Sequence, residues 1–66
     1  MTRYYVNNDA QPTGEHEVHT VNCSHLPSDR QYLGEFDNCF AAVYKARDYY
    51  SNVDGCYWCC NPCHTK

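Results

Sequence analysis

The sequence predicts an α+β fold with a two- to three-stranded antiparallel sheet, one helix over about residues 38–50 and a C-terminal Cys-x-x-Cys knuckle. Two patterns support this. Short runs rich in tyrosine and valine are typical of strands in the first half of the chain, and a single apolar stripe with helical spacing follows them. The chain has only 66 residues, six of them cysteines, and residues 1–66 are expected to form one domain.

Three segments have the composition of strands. Residues 3–7 form a tyrosine–valine run, and a stretch dense in turn-forming residues follows it. Residues 15–21 are expected to form a second strand antiparallel to the first, and residues 31–36 a third. Because side chains alternate along a strand, Val18 and His19 should point to opposite faces of the sheet.

The helix is predicted over about residues 38–50, with Asp37 or Asn38 as its N-cap. After the helix, the Asp-Gly pair at 54–55 predicts a turn that leads directly into Cys56. The residues expected to face the sheet recur at three- and four-residue spacing: Cys39, Ala42, Val43, Ala46 and Tyr50.

Size and charge limit the classes of protein that fit. A chain this short buries a narrow core, so it needs a metal or disulfides to stay folded. Its formal net charge is −3, and its basic residues are scattered. A basic stripe is the usual electrostatic signature of nucleic-acid binding, so the charge pattern speaks against that function.

The six cysteines have two interpretations. The N-terminus lacks the apolar stretch of a signal peptide, and no segment is apolar enough to span a membrane. We therefore expect a cytoplasmic protein whose cysteines bind metal, since disulfides are rare in a reducing compartment. A secreted chain with a disulfide framework is the alternative.

Two close pairs of ligand residues predict a zinc site. His19 and Cys23 form a His-x-x-x-Cys pair, and Cys56 and Cys59 form a Cys-x-x-Cys pair across a strand and a helix. Each pair can clamp one edge of a tetrahedron, which is the geometry of structural zinc sites. We predict one structural Zn²⁺ held by these four residues. In the alternative, His19 is a surface residue of the strand and cysteines alone hold the metal.

The remaining cysteines leave several arrangements open. Cys39 is expected to be a buried helix residue that behaves as a small hydrophobe. Cys60 and Cys63 are either accessory ligands or free thiols. A second zinc would use these three residues together with His64 or His25.

Catalysis has little support in the sequence. No protease-type His-Glu-x-x-His, no Ser-His-Asp arrangement and no phosphate-binding glycine loop is present. A redox Cys-x-x-Cys normally lies at a helix N-terminus, whereas here it follows a turn. We therefore predict a non-enzymatic zinc-binding module that interacts with a protein partner. The alternative is a nucleic-acid-binding accessory domain, in which exposed tyrosines and Trp58 would stack on bases.

Between residues 18 and 60 the chain combines four features in order: a His-x-x-x-Cys pair with a leucine three residues on, a strand ending in phenylalanine, an alanine-rich helix and a Gly-Cys-x-x-Cys knuckle. The residues concerned are His19, Cys23, Leu26, Phe36, Ala41, Ala42, Ala46, Gly55, Cys56 and Cys59. This order resembles the Ada-type metal-binding domain, the small zinc module of the methyl-phosphotriester repair protein that also occurs appended to bacterial nucleases.

The resemblance implies a small antiparallel sheet, a helix and one zinc between a loop and a knuckle. The four ligand positions match His19, Cys23, Cys56 and Cys59. In the repair protein the first ligand is the cysteine that accepts the methyl group. Because His19 stands at that position here, the resemblance implies the fold and the zinc rather than methyl transfer. It is also the basis of the nucleic-acid alternative.

Overall fold

The computed structural model describes residues 1–66 and confirms the α+β fold. One α-helix packs on a four-stranded sheet, and a short 3-10 turn lies near the C-terminus. The elements are β1 (Thr2–Asn7), β2 (His16–Thr20), β3 (Arg30–Phe36), α1 (Cys39–Ala46), β4 (Val53–Gly55) and the 3-10 turn (Asn61–Cys63).

The sheet has the strand order β3-β1-β2-β4. The central strand β1 pairs antiparallel with both β2 and β3, so Tyr5 lies opposite His19 on one side and Tyr32 on the other. This part of the sheet is the predicted three-stranded antiparallel arrangement. The fourth strand pairs parallel with β2, with Asp54 beside Glu17. The sheet is therefore mixed.

The prediction of a turn at residues 54–55 was wrong, because these residues belong to β4. All three residues of β4 are buried, and the backbone pairing continues beyond the strand, where the amide of Cys56 donates to the carbonyl of Val18 at 2.9 Å. Burial and pairing with β2 outweigh the turn preference of an Asp-Gly pair, as tertiary context commonly does for local propensity.

The helix is shorter than predicted. It covers Cys39–Ala46 instead of about residues 38–50, and residues 47–49 form turns. Asn38 is the N-cap, and its side chain accepts a hydrogen bond from the amide of Ala41 at 3.0 Å. This bond satisfies one of the helix's free N-terminal amides.

Contacts of Tyr50 explain why the helix ends early. The Tyr50 ring stacks on His16 with 3.7 Å between ring centroids and an interplanar angle of 8°. Its hydroxyl also donates to the side chain of Asn8 at 2.7 Å. These tertiary contacts hold Tyr50 against the start of β2 and the residue after β1, and they take the place of further helical packing.

The hydrophobic core lies between α1 and one face of the sheet. Val6 and Val18 on the sheet and Ala42 and Ala46 on the helix are fully buried. The small alanine side chains let the helix approach the sheet closely. Other core residues are Tyr4, Leu33, Cys39, Val53, Cys60 and Cys63.

A disulfide joins Cys39, at the start of the helix, to Cys63 in the C-terminal 3-10 turn. Cys39 is buried as predicted, but it is cross-linked and does not act only as a small hydrophobe. Cys63 is neither the accessory ligand nor the free thiol that was expected. Spacing alone does not reveal this pair, because the fold brings together residues that are 24 positions apart. Closing a loop of this length contributes about 3 kcal/mol to stability in the chain-entropy model.

Asp54 anchors the C-terminal tail, a role that the sequence does not reveal. Its side chain is almost fully buried. It accepts hydrogen bonds from the amide and hydroxyl of Thr65 at 2.8 and 3.0 Å and from the amide of Lys66 at 3.2 Å. Nδ1 of His64 lies 3.1 Å from the same carboxylate. One buried acid therefore holds the last residues against β4.

We expect Asp54→Ala to lower the free energy of unfolding by about 2 kcal/mol, because hydrogen bonds to a charged group contribute about 1.5–3 kcal/mol. Hydrogen exchange at the amides of Thr65 and Lys66 should become fast. Denaturant unfolding and amide exchange measure the two effects. The control is Asp48→Ala, which removes an exposed ion pair with Lys45 and should change stability by less than about 1 kcal/mol. Equal losses in the two variants would contradict the anchoring role.

Candidate metal centre

The four predicted ligands meet at one point of the structure. The ligand atoms of His19, Cys23, Cys56 and Cys59 all lie within 4.8 Å of one another. His19 comes from the end of β2 and Cys23 from the turn after it, whereas Cys56 and Cys59 come from the knuckle after β4. The structure therefore contains a His/Cys cluster compatible with one metal ion.

Backbone pairing brings the two halves of this cluster together. The bond from the Cys56 amide to the Val18 carbonyl places the knuckle beside the end of β2. The amide of Cys23 donates to the carbonyl of Thr20 at 3.1 Å, and the amide of Cys60 donates to the carbonyl of Cys56 at 2.9 Å. These two tight turns return Cys23 and Cys59 toward the same point.

The spacing of the ligand atoms suits a tetrahedral ion. Two sulfurs bound at about 2.3 Å to the same zinc are separated by about 3.8 Å. The sulfurs of Cys23 and Cys56 are 3.9 Å apart, and Sγ of Cys59 lies 4.0 Å from Nδ1 of His19. Only small side-chain adjustments would be needed to close the cluster around an ion.

Each of the three cysteine sulfurs in the cluster accepts a hydrogen bond from a backbone amide. Thr20 donates to Cys59 at 3.3 Å, His25 donates to Cys23 at 3.4 Å and Trp58 donates to Cys56 at 3.4 Å. Amide donors stabilise the thiolate over the thiol. Three separate segments supply these donors, and such outer contacts orient and tune metal ligands.

Without a cation, the surroundings oppose ionisation of these thiols. Burial raises the pKa of Cys56 to about 12 and also raises the pKa of Cys23. The pKa of Cys59 is raised by its contact with the Cys60 thiol and by burial, whereas the same contact lowers the pKa of Cys60. A bound metal reverses this balance, because a coordinating thiol loses its proton.

His19 is buried, with only 2% of its surface exposed, and so is not the surface histidine of the alternative interpretation. Its Nδ1 faces Cys59, and its Nε2 lies 3.7 Å from the carboxylate of Glu17. A carboxylate behind a ligand histidine commonly orients the ring and fixes its tautomer. Glu17 therefore belongs to the surroundings of the site. The only sequence signal for this contact was the position of Glu17 two residues before His19, on the same face of the strand.

The residues proposed for a second zinc do not form a site. Cys39 and Cys63 are bonded to each other, and Nδ1 of His64 is engaged by Gly55 and Asp54. Cys60 is a free, buried thiol whose sulfur lies 3.8 Å from that of Cys59. It is adjacent to the four-residue cluster without belonging to it. The structure thus supports one metal position.

No family model, curated protein or solved structure matches this chain. The resemblance to the Ada-type domain therefore stays a prediction. What the protein does has to be inferred from the geometry and charge of its own side chains.

Proposed function

We propose that this protein is a small, non-enzymatic module organised around one structural zinc ion, and that it mediates interaction with a protein partner. The ligands would be His19, Cys23, Cys56 and Cys59. The observation that carries the proposal is the convergence of one imidazole nitrogen and three sulfurs within 4.8 Å. Every sulfur in that set also accepts a hydrogen bond from a backbone amide.

The ligand types favour zinc over other ions. Thiolate and imidazole ligands in a tetrahedral arrangement are typical of zinc, whereas calcium and magnesium select oxygen ligands. Four protein ligands complete a tetrahedron, so no position remains for a water or substrate. When bound, the ion would supply folding free energy rather than reactivity.

The surface favours a protein partner. Tyr57 and Trp58 are largely exposed beside the metal cluster, and Phe40 and Tyr44 are exposed on the helix. Aromatic residues of this kind are enriched at protein interfaces. The formal net charge of −3 works against phosphate binding, which supplies most of the affinity for nucleic acids. No structural observation favours the nucleic-acid alternative.

The cellular compartment stays a prediction. No helix of the structure is sufficiently long and apolar to cross a membrane. The disulfide between Cys39 and Cys63 counts against the predicted cytoplasmic location, because structural disulfides persist mainly in oxidising compartments.

Native mass spectrometry of the protein with added zinc tests the metal site. We expect one bound zinc. Cys59→Ser should reduce zinc affinity at least tenfold, because a hydroxyl is a much poorer zinc ligand than a thiolate. Cys60→Ser is the matched control: the neighbouring thiol lies outside the cluster, so this variant should still bind one zinc. Absence of zinc in the unmodified protein, or loss in Cys60→Ser with retention in Cys59→Ser, would contradict the site.

A further inference from the structure

A pocket of about 280 Å³ adjoins the metal cluster, and two of the cluster's residues, His19 and Cys56, form part of its wall. It lies between the end of β1 with the loop that follows it, the strand that carries His19, and the knuckle. A volume this small, near the lower end for ligand pockets, suits one amino-acid side chain rather than a large ligand. Residues that line the pocket include Gln11, Glu17, His25, Cys56, Tyr57 and Trp58.

The charge of this pocket is negative. Glu17 places a carboxylate in it, and only 17% of that side chain is exposed. The nearest charge partner of the carboxylate is the His19 ring at 3.7 Å, so its oxygens have capacity for further donors. A zinc ion with three thiolates and a neutral histidine would add one net negative charge beside it. No lysine or arginine lines the pocket.

Two aromatic rings form a corner of the same pocket. Tyr57 and Trp58 lie 4.9 Å apart between ring centroids and at an interplanar angle of 87°. The Trp58 side chain is 68% exposed although it also stacks on His25, with 5.4 Å between centroids. Perpendicular aromatic faces beside a carboxylate attract a cation, because the ring faces carry negative electrostatic potential.

We propose that this pocket binds one basic side chain, lysine or arginine, of a partner protein. The inference rests on the proposed function, since it identifies the surface and the chemistry through which that module would hold its partner. The cationic group would be paired with the carboxylate of Glu17 and lie against Tyr57 and Trp58, where partial desolvation strengthens both contacts. The amide of Gln11 can add a hydrogen-bond acceptor.

The same charge disfavours the other ligands that aromatic rings commonly bind. A nucleic-acid base stacked on Trp58 would bring its phosphates next to Glu17 and the thiolates, and that repulsion would offset the stacking. A neutral side chain would give the Glu17 carboxylate no charge partner beyond the His19 ring while removing it further from water, which is costly. A basic side chain satisfies both the rings and the carboxylate.

An NMR titration of the zinc-loaded full chain tests this pocket with three probes: Nα-acetyl-arginine amide, Nα-acetyl-lysine amide and the neutral analogue Nα-acetyl-citrulline amide. We expect saturable shifts from a basic probe at the Trp58 indole, Tyr57 and Glu17. Citrulline should bind at least tenfold more weakly, since it keeps the shape of arginine and lacks its charge. The binding of the basic probe should weaken with added salt.

Variants separate the pocket from non-specific association. Trp58→Ala and Glu17→Gln should each weaken binding of the basic probe about tenfold, whereas Trp58→Phe should retain part of the affinity because an aromatic face remains. Tyr44→Ala is the matched control, as it removes an exposed aromatic residue on the helix, outside the pocket. Equal binding of citrulline, unchanged affinity in both pocket variants, or shifts confined to other surfaces would overturn the inference.

Zinc content measured on the same samples separates the two proposals. If the protein binds one zinc and no basic probe, the inference about the pocket fails and the metal site stands. If the protein binds no zinc, the proposed function fails and the inference fails with it. A short single-stranded oligonucleotide that binds at Trp58 in place of the basic probes would overturn the inference in favour of nucleic acid.

Discussion

Removal of the metal with a chelator is expected to abolish the cooperative thermal unfolding of the protein. The zinc-loaded protein should melt in one transition, and the metal-free protein should show a broad change without a defined midpoint. Circular dichroism in the near and far ultraviolet, or scanning calorimetry, measures this. Readdition of zinc should restore the transition.

The size of the effect follows from the small core. Structural zinc contributes very roughly 10–16 kcal/mol of binding free energy in zinc-finger peptides, and whole domains are stable by only about 5–15 kcal/mol. His19 and Cys56 are almost fully buried in the structure. Without a metal, one buried imidazole and three thiols would lie close together with no ion to bind them.

The disulfide provides the control for this prediction. A Cys39→Ser, Cys63→Ser double variant loses a cross-link worth about 3 kcal/mol, which is less than the metal contributes. The zinc-loaded double variant should therefore still melt cooperatively, at a lower temperature. A chelated protein that keeps a cooperative transition while its disulfide is intact would show that the metal is dispensable for the fold.

Gly55→Ala is expected to destabilise the protein strongly, because the added methyl group has the least room of the three glycine positions. A Cβ at Gly55 would lie 2.7 Å from the carbonyl oxygen of Cys60 and 2.7 Å from Cβ of Cys63. Both neighbours are held in place, because Cys63 is disulfide-bonded and the amide of Cys60 pairs with the carbonyl of Cys56. We expect a loss of about 3 kcal/mol or more, at the upper end of overpacking effects.

The same substitution should also weaken zinc binding, since Gly55 directly precedes Cys56. Denaturant unfolding of the zinc-loaded protein and zinc competition with a chromophoric chelator measure the two effects. Gly14→Ala is the control. Gly14 has φ of +101°, but its Cβ would meet only the side chain of Asn52 at 3.5 Å, so about 1–2 kcal/mol of backbone strain is expected. A larger loss in Gly14→Ala than in Gly55→Ala would contradict the steric role of Gly55.

Local patterns were sufficient to predict most elements. The three strands before the helix lie within one residue of the predicted segments at each end, because each has strand composition between strong turn signals. The helix start was predicted to within one residue, since Asp37 or Asn38 was expected as the N-cap and Asn38 is the cap observed. The helix end was not, because Tyr50 leaves the helix for contacts with His16 and Asn8 that are distant in sequence.

The tertiary structure decided the features that depend on distant partners. The pairing of β4 with β2 turned a predicted Asp-Gly turn into a buried strand, and Asp54 became the anchor of the C-terminal tail. The disulfide between Cys39 and Cys63 likewise required the packing of the helix against the last turn. None of these three features has a local signal, since each joins segments that are separated along the chain.

The sequence by itself determined the first three strands, the start of the helix and the two ligand pairs, His19 with Cys23 and Cys56 with Cys59, because strand composition, capping and ligand spacing within a turn are local properties. The meeting of the two pairs depends on the backbone pairing of the knuckle with β2. Only the tertiary structure decided which other cysteines pair, and that Glu17, Tyr57 and Trp58 share one pocket beside that cluster. The physical reason is that a pocket and a cross-link are made by residues from different strands and turns, and their approach is set by sheet pairing and core packing rather than by neighbouring residues.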